Sequence, residues 1–255
     1  MSCTIDLTNR TALVTGASSG LGRHFAGVLA GAGARVAVAA RRRESLEEVV
    51  AEIAAKGGQA VAVPLDVTNA ASVRDGVREA AAALGGLDIL VNNAGATVSK
   101  SALDLAEEDW DRVLDTNLKG AFLVAQEAGR VMQESKTGGT IVNIASILGL
   151  RVAGHVAAYA ASKAALIQLT QALALEWARY GIRVNALAPG YIETDLNRDF
   201  FATDAGQALI KRVPQRRLGH LSDLDGPLLL LCSDAAAYMT GAVVAVDGGH
   251  LVSTL

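Results

Sequence analysis

Short apolar runs rich in Val, Ile, Leu and Ala recur along the chain, each followed by a turn and a longer stretch with helical spacing. The runs are Thr11–Thr15, Arg35–Ala40, Gln59–Pro64, Gly86–Val91, Thr140–Ile144, Gly181–Leu187 and Ala242–Val246. Continuous rather than alternating apolarity marks strands covered on both faces, as in buried parallel sheets. Helices are expected through Arg23 to about Ala32, from Glu44 to Lys56, and after Asp66 with Thr68 or Asn69 as cap. Others are expected from near Glu107 to about Glu134, from Tyr159 onward, and over about Ser222 to Ala236. This alternation predicts the α/β class: one doubly wound domain over residues 1–255, with about seven parallel strands and helices on both faces. Residues 191–217 break the rhythm and read as a substrate loop or lid within that domain.

Composition narrows the function classes. Hydrophobic residues make up 51% of the 255 and aromatics only 4%, so the core is aliphatic. A net charge of −3 leaves no basic footprint for nucleic acid. Cys3 and Cys232 cannot build a disulfide framework, and His24, His155, His220 and His250 are scattered, so no metal site is expected. Asp6 and Arg10 interrupt any signal-peptide stretch, and Leu228–Leu231 is far too short to span a bilayer. The expectation is a soluble cytoplasmic protein with neither a membrane nor a nucleic acid as partner.

Candidate chemistry lies where the strands end. Gly16-Ala17-Ser18-Ser19-Gly20-Leu21-Gly22 joins the first strand to the first helix. Such a loop lets backbone approach a pyrophosphate, which the helix amino terminus then holds by unpaired N–H groups. No Gly-Lys-Ser/Thr closes it, which argues against a phosphate-loop NTPase. The second strand ends at Ala40 and Arg41 follows, where an acidic residue would hold a ribose 2′-hydroxyl and Arg accommodates a 2′-phosphate. That favours NADP over NAD; without a ligand, Arg41-Arg42-Arg43 is a solvated charge cluster. Asp66 suits an adenine edge or plain turn chemistry. Asn92-Asn93-Ala94-Gly95 and Pro189-Gly190 are turns at strand ends that bring backbone near a ligand. Asn117 falls in an apolar stretch of helix and reads as a satisfied core residue or a local bend. Tyr159 and Lys163 share one helix face, and Ser146 stands at a strand's carboxyl end. A nearby ammonium pulls a phenol's pKa down from about 10 toward useful acid–base range.

Taken together, Thr15-Gly16-x-x-x-Gly20-x-Gly22, Asp66, Asn92-Asn93-Ala94-Gly95, Asn117, Ser146, Tyr159-x-x-x-Lys163, Pro189-Gly190 and Thr194 resemble the short-chain dehydrogenase/reductase family along essentially the whole chain. The resemblance implies a Rossmann fold and a nicotinamide cofactor. It makes Tyr159 the general acid or base, Ser146 the holder of the substrate oxygen, and Lys163 the ligand of the nicotinamide ribose that lowers the Tyr159 pKa. Asn117 would anchor a relay water. Gly16, Ser18, Ser19, Gly20, Leu21 and Gly22 would line the phosphates, with Asp66 and Val67 at adenine and Asn93, Ala94 and Gly95 at the ribose. Pro189, Gly190, Ile192 and Thr194 would face the nicotinamide. Arg41 matches NADP-preferring members, although Ser18-Ser19 stands where some of them carry a basic residue. A homotetramer built on the helices of Asn117 and Tyr159 is implied as well.

The wording is closest to bacterial 3-oxoacyl reductases. Arg130 matches a carrier-gripping residue, whereas Leu175 stands where a second Arg is common. Ile147, Leu148, Leu150, Val152, Val156, Tyr191, Leu196 and Phe200 are the expected substrate walls, and their apolar character favours a hydrophobic ketone. His155 is the titratable residue nearest the site in sequence. Two other readings use the same residues: an NAD-dependent dehydrogenase of a hydroxy acid or hydroxysteroid, and a nucleotide-sensing protein without catalysis. Tyr159 and Lys163 at their proper spacing favour an enzyme.

Overall fold

The structure is a computed structural model that describes residues 5–194 and 198–253. Leu196 and Cys3 lie outside the described residues. The strands are β1 (Thr11–Thr15), β2 (Arg35–Ala40), β3 (Gln59–Pro64), β4 (Ile89–Asn92), β5 (Gly139–Ile144), β6 (Ile182–Pro189) and β7 (Val243–Val246). They form one parallel seven-stranded sheet in the order β3-β2-β1-β4-β5-β6-β7. After β3 the chain returns to the middle and builds outward in the other direction. The loops leaving β1 and β4 therefore diverge and open a crevice at the carboxyl edge of the sheet.

Helices α1 (Gly20–Gly31), α2 (Arg43–Ala55), α3 (Ala70–Leu84), α4 (Glu107–Leu114), α5 (Ala121–Ser135) and α6 (Ala157–Trp177) alternate with the strands. Further on come α7 (Arg198–Ala202), α8 (Asp204–Ile210) and α9 (Asp225–Cys232). Alternate strand residues feed two cores. Ala12 and Val14 pack with Phe25, Leu29, Val49 and Leu228 on one face. Leu13 packs with Val77, Leu84, Val124 and Met132 on the other. Each large aliphatic side chain so buried contributes about 1.5–3 kcal/mol. No helix among the described residues is long and apolar enough to cross a membrane.

Three helices depart from the expected form. The first begins at Gly20, inside the glycine loop, rather than near Arg23. The helix expected from Glu107 to Glu134 widens into a π segment, Asp115–Gly120, between α4 and α5. The stretch from Ser222 to Ala236 is broken into a 3₁₀ turn at Leu221–Leu224, α9, and a 3₁₀ turn at Asp234–Ala236. Ser233 causes the second break: its backbone is extended and its hydroxyl accepts the Ala235 N–H at 3.3 Å. Residues 191–217 carry α7 and α8, and Ile192 closes the base of the excursion by bridging Gly219.

Candidate active site

The glycine loop is shaped by close contacts at Gly16 and Gly22 and by backbone conformation at Gly20. Gly16 and Gly20 have φ of +65° and +53°, where a Cβ is strained. A Cβ on Gly22 would lie 2.3 Å from the Gly16 carbonyl oxygen. Asn93 fastens this loop to the end of β4, donating to the Thr15 and Gly16 carbonyls at 2.9 and 3.3 Å. The Thr15 hydroxyl in turn accepts the Asn93 and Ala94 N–H groups at 3.0 and 3.1 Å. The buried Thr15 hydroxyl thus fastens the end of β1 to the turn after β4. Ser19 precedes α1 without capping it, so the first N–H groups of α1 have no side-chain acceptor and suit an anion.

The adenosine end follows along β2 and β3. Arg41 is exposed at the end of β2 and pairs with no carboxylate among the described residues. Asp66 accepts the Thr68 N–H and hydroxyl at 3.0 and 2.7 Å, so one carboxylate oxygen serves the turn. Val67 is buried beneath it. These features fit a dinucleotide: a cradle that only glycine fits, an uncapped helix end and an unpaired cation beyond β2. No group of three or more His, Cys, Asp or Glu among the described residues could hold a metal ion.

Four polar residues converge at the ends of β5 and α6. Ser146 is buried, begins the 3₁₀ turn Ile147–Gly149, and accepts the Leu148 N–H at 3.1 Å. This turn presses on α6 so closely that a Cβ on Gly149 would lie 2.7 Å from the Lys163 carbonyl carbon. The Ser146 hydroxyl also lies near enough to the Tyr159 phenol to act on its proton affinity. Lys163 is only 4% exposed; its Nζ donates to the Ile144 carbonyl at 2.7 Å and lies 5.6 Å from the Tyr159 ring centroid. Asn117, buried in the π segment, accepts the Ala96 N–H at 2.7 Å and donates to the Ala96 carbonyl and the Ser162 hydroxyl at 2.9 and 3.0 Å. Ser162, absent from the expected set, donates to the Tyr159 carbonyl at 2.7 Å and so links Asn117 to the first turn of α6.

The electrostatics differ from the expectation at Tyr159. Burial pushes its phenol above the ordinary value, and the nearby Ser146 hydroxyl opposes this only in part. Burial also pushes the Lys163 ammonium down to about 8. With a pKa of about 8, Lys163 still carries its charge at neutral pH, but it is not among the causes that shift Tyr159.

The substrate side is formed by the segments after β5, β6 and β7. Gly190 is held so close to Asp247 that its Cβ would lie 2.7 Å from the Asp247 Cα. Ile192 is buried and Thr194 half-buried beside the bridge to Gly219. Of the expected walls, Ile147 is sealed in the core, whereas Leu150, Val152 and Phe200 are exposed. Tyr191 meets Phe201 at 5.9 Å and His250 at 5.4 Å between ring centroids. His155 points to solvent with φ of +63°. His250, far away in sequence, is the buried histidine of this region. Only the return of β7 to the sheet edge brings it there, and no local pattern announces that.

The chain matches the family model described as Enoyl-(Acyl carrier protein) reductase over residues 16–250. It is 39% identical over 242 residues to the 3-oxoacyl-(acyl-carrier-protein) reductase FabG of Staphylococcus epidermidis, which covers 94% of this chain and 98% of that one. It is 38% identical over 247 residues to an NAD-dependent glycerol dehydrogenase of Listeria innocua, 97% of this chain and 96% of the other. A gluconate 5-dehydrogenase from Burkholderia cenocepacia J2315, solved with NADP and tartrate, superposes with a TM-score of 0.94 at 36% identity over 98% of each chain. These relatives differ in substrate and in cofactor.

Proposed function

The chain belongs to the short-chain dehydrogenase/reductase family, oxidoreductases acting on alcohols and ketones, and from that premise we propose an NADP(H)-dependent interconversion of a ketone and a secondary alcohol. The observation that carries this reading is the meeting of Ser146, Tyr159 and Lys163 beside a crevice shaped for a dinucleotide. When bound, the nicotinamide supplies or takes up the hydride. Gly16, Ser18, Ser19, Gly20, Leu21 and Gly22 would hold the pyrophosphate, Asp66 and Val67 the adenine, and Asn93, Ala94, Gly95 and Lys163 the ribose. Pro189, Gly190, Ile192 and Thr194 would line the nicotinamide. Ser146 holds the substrate oxygen. Tyr159 gives that oxygen a proton in reduction and removes it in oxidation. Asn117 fixes the start of α6 through Ser162.

Arg41 supports NADP, since a 2′-phosphate would give its unpaired guanidinium an anion. NAD is the second reading, favoured by the uncharged Ser18-Ser19 and by the NAD-dependent Listeria relative. A carrier-bound 3-oxoacyl substrate has less support here: Arg130 is engaged by Glu127, and Leu175 is uncharged. We read 191–217 as the lid of a cytoplasmic enzyme, and its assembly as a homotetramer that uses the outer face of α6. Purified protein tested for NADPH and NADH consumption over ketones, 3-oxoacyl thioesters and oxo-acids checks this reading. Tyr159→Phe should bind NADPH normally yet lose turnover about 10²-fold or more, the usual scale for acid–base catalysis. Retained turnover would assign the proton to another group.

A further inference from the structure

We propose that Asn143 and Thr170 are positioning residues for the reaction: the buried hydrogen bond between them fixes where the helix of Tyr159 and Lys163 stands along the strand that leads to Ser146. The inference rests on the dehydrogenase reading of the site and adds the tie that sets its geometry.

Ser146 follows β5, whereas Tyr159 and Lys163 ride on α6. The Ser146 and Tyr159 oxygens must both meet one substrate oxygen, so the offset of α6 along β5 decides whether they can. Asn143 lies in β5 shortly before Ser146, paired across the sheet with Asn92 of β4. Its side chain shares the sheet face of Ile141, which packs in one cluster with Leu173 and Ala174 of α6. Asn143 Nδ2 donates to the Thr170 hydroxyl at 2.9 Å, and its Oδ1 accepts from Asn92 Nδ2 at 3.3 Å. Asn92 Nδ2 also donates, at 2.7 Å, to the carbonyl of Ala121, which follows the π segment of Asn117. Thr170 stands two helical turns past Lys163 on the same face of α6. The carbonyl next to Asn143, that of Ile144, holds Lys163 Nζ at 2.7 Å. Adjacent residues of β5 therefore grip one face of α6 at two levels, and a helix so held keeps its place as a unit.

The chain of hydrogen bonds runs in one direction. The Thr170 hydroxyl gives its proton to the Leu166 carbonyl at 2.8 Å, so toward Asn143 it can only accept. Asn143 must then turn its nitrogen to Thr170 and its oxygen to Asn92. Asn92, Asn143 and Thr170 are all buried, beside an otherwise aliphatic cluster. Polar groups there carry a desolvation cost that Val or Leu would avoid. What a fully satisfied network adds is a single arrangement, selected over others that pack as well. α6 requires such a selection. Its own core contacts come from Ile167, Leu173 and Ala174, and apolar contacts have no preferred direction. They tolerate a slip along the helix axis that a hydrogen bond does not. A misplacement of about 1 Å at reacting groups costs roughly 10²-fold in rate.

The test removes the tie and leaves its ends satisfied. In Asn143→Leu, Asn92 keeps the Ala121 carbonyl and Thr170 keeps the Leu166 carbonyl. Thr170→Val removes the same bond from the other side at nearly constant volume, and guards against misfolding of the first variant. With ethyl acetoacetate and saturating NADPH, each variant should lower kcat about 10- to 100-fold with KM for the ester little changed. Thr170→Ser, which keeps the hydroxyl, should return most of the lost rate. The double variant should lose no more than Asn143→Leu alone, because both changes remove one bond. Losses that multiply, or a lower thermal midpoint with kcat intact, would make these residues stabilising only and overturn the proposal. Crystals of NADPH-bound wild type and Thr170→Val give a readout without turnover. The separation of Ser146 Oγ from Tyr159 Oη should change by about 0.5 Å or more, the tolerance of a working site. That displacement supports the tie even if the ester is not reduced, in which case the failure belongs to the dehydrogenase reading. Superimposable β5 and α6 in the two crystals overturn the tie.

Discussion

Lys163 carries its charge at a cost that the cofactor-free protein itself must bear. Its ammonium is held by one carbonyl, and burial lowers its pKa from 10.5 to about 8. Below about pH 8 the folded and unfolded chains are both protonated there, and the full penalty weighs on the fold. Between pH 8 and 10.5 only the unfolded chain holds the proton, so this penalty lifts as pH rises. Thermal unfolding of the apoprotein should therefore show wild type gaining on Lys163→Met across that window, by about 3 kcal/mol at full extent. A pH-independent difference would mean Lys163 is not so perturbed. Arg41 makes the complementary case, a cation in water waiting for an anion. Arg41→Ala should weaken NADPH about 10- to 100-fold and NADH little, the scale of a lost charge-assisted contact. Equal losses in a fluorescence titration would make Arg41 part of a solvated cluster and return the preference to NAD. The sequence named these residues because their neighbours in the chain define their place. The contact of Arg151 with the His250 carbonyl escaped it because 99 positions separate the two residues.

At the scale of elements, the strands were legible because parallel strands buried on both faces leave unbroken apolar runs, and the helices between them were legible in place more than in form. The π segment was not. Asp115–Gly120 contains no proline, and glycine only at its end, so its composition reads as continuous α-helix. Its cause is tertiary: the widened turn sets the Asn117 amide against Ala96 and Ser162, and Gly120 against Val67, where a Cβ would lie 2.9 Å from the Val67 oxygen. Asn117→Ala should lower unfolding free energy by about 1–3 kcal/mol, the cost of leaving such groups unpaired. It should also lower turnover, because Ser162 then loses the donor that steadies the Tyr159 turn. A urea midpoint and a rate both unchanged would show the segment to be held by packing alone. The broken final helix has the opposite origin. Its cause is local, since Ser233-Asp234 is a capping signal that the apolar run before it obscured.

The whole molecule presents one outer surface that a lone chain has little reason to keep. Along α6 the exposed positions Ala157, Ala161, Ala164, Gln168, Gln171, Ala172 and Leu175 are uncharged, with Glu176 the one exposed charge near its end, and Leu175 is 83% exposed. A solvated helix face ordinarily carries Lys, Glu or Arg, and small uncharged side chains let a second helix approach closely. Trp110 on α4 is 41% exposed and adds aromatic area to the same side of the argument. Burying Leu175 against another copy would contribute about 1.5–3 kcal/mol per chain, and symmetry repeats the gain at each interface. A buried unpaired guanidinium would cost more than that gain. Leu175→Arg should therefore shift the mass in light scattering from that of the proposed homotetramer to a smaller assembly, while the far-ultraviolet dichroism stays that of the folded chain. If the variant keeps the wild-type mass, the outer face of α6 is open to solvent and the assembly must use another surface. The half-exposed edge at β7 would then be the next face to test, because its Val243, Val244 and Val246 are apolar and only partly covered.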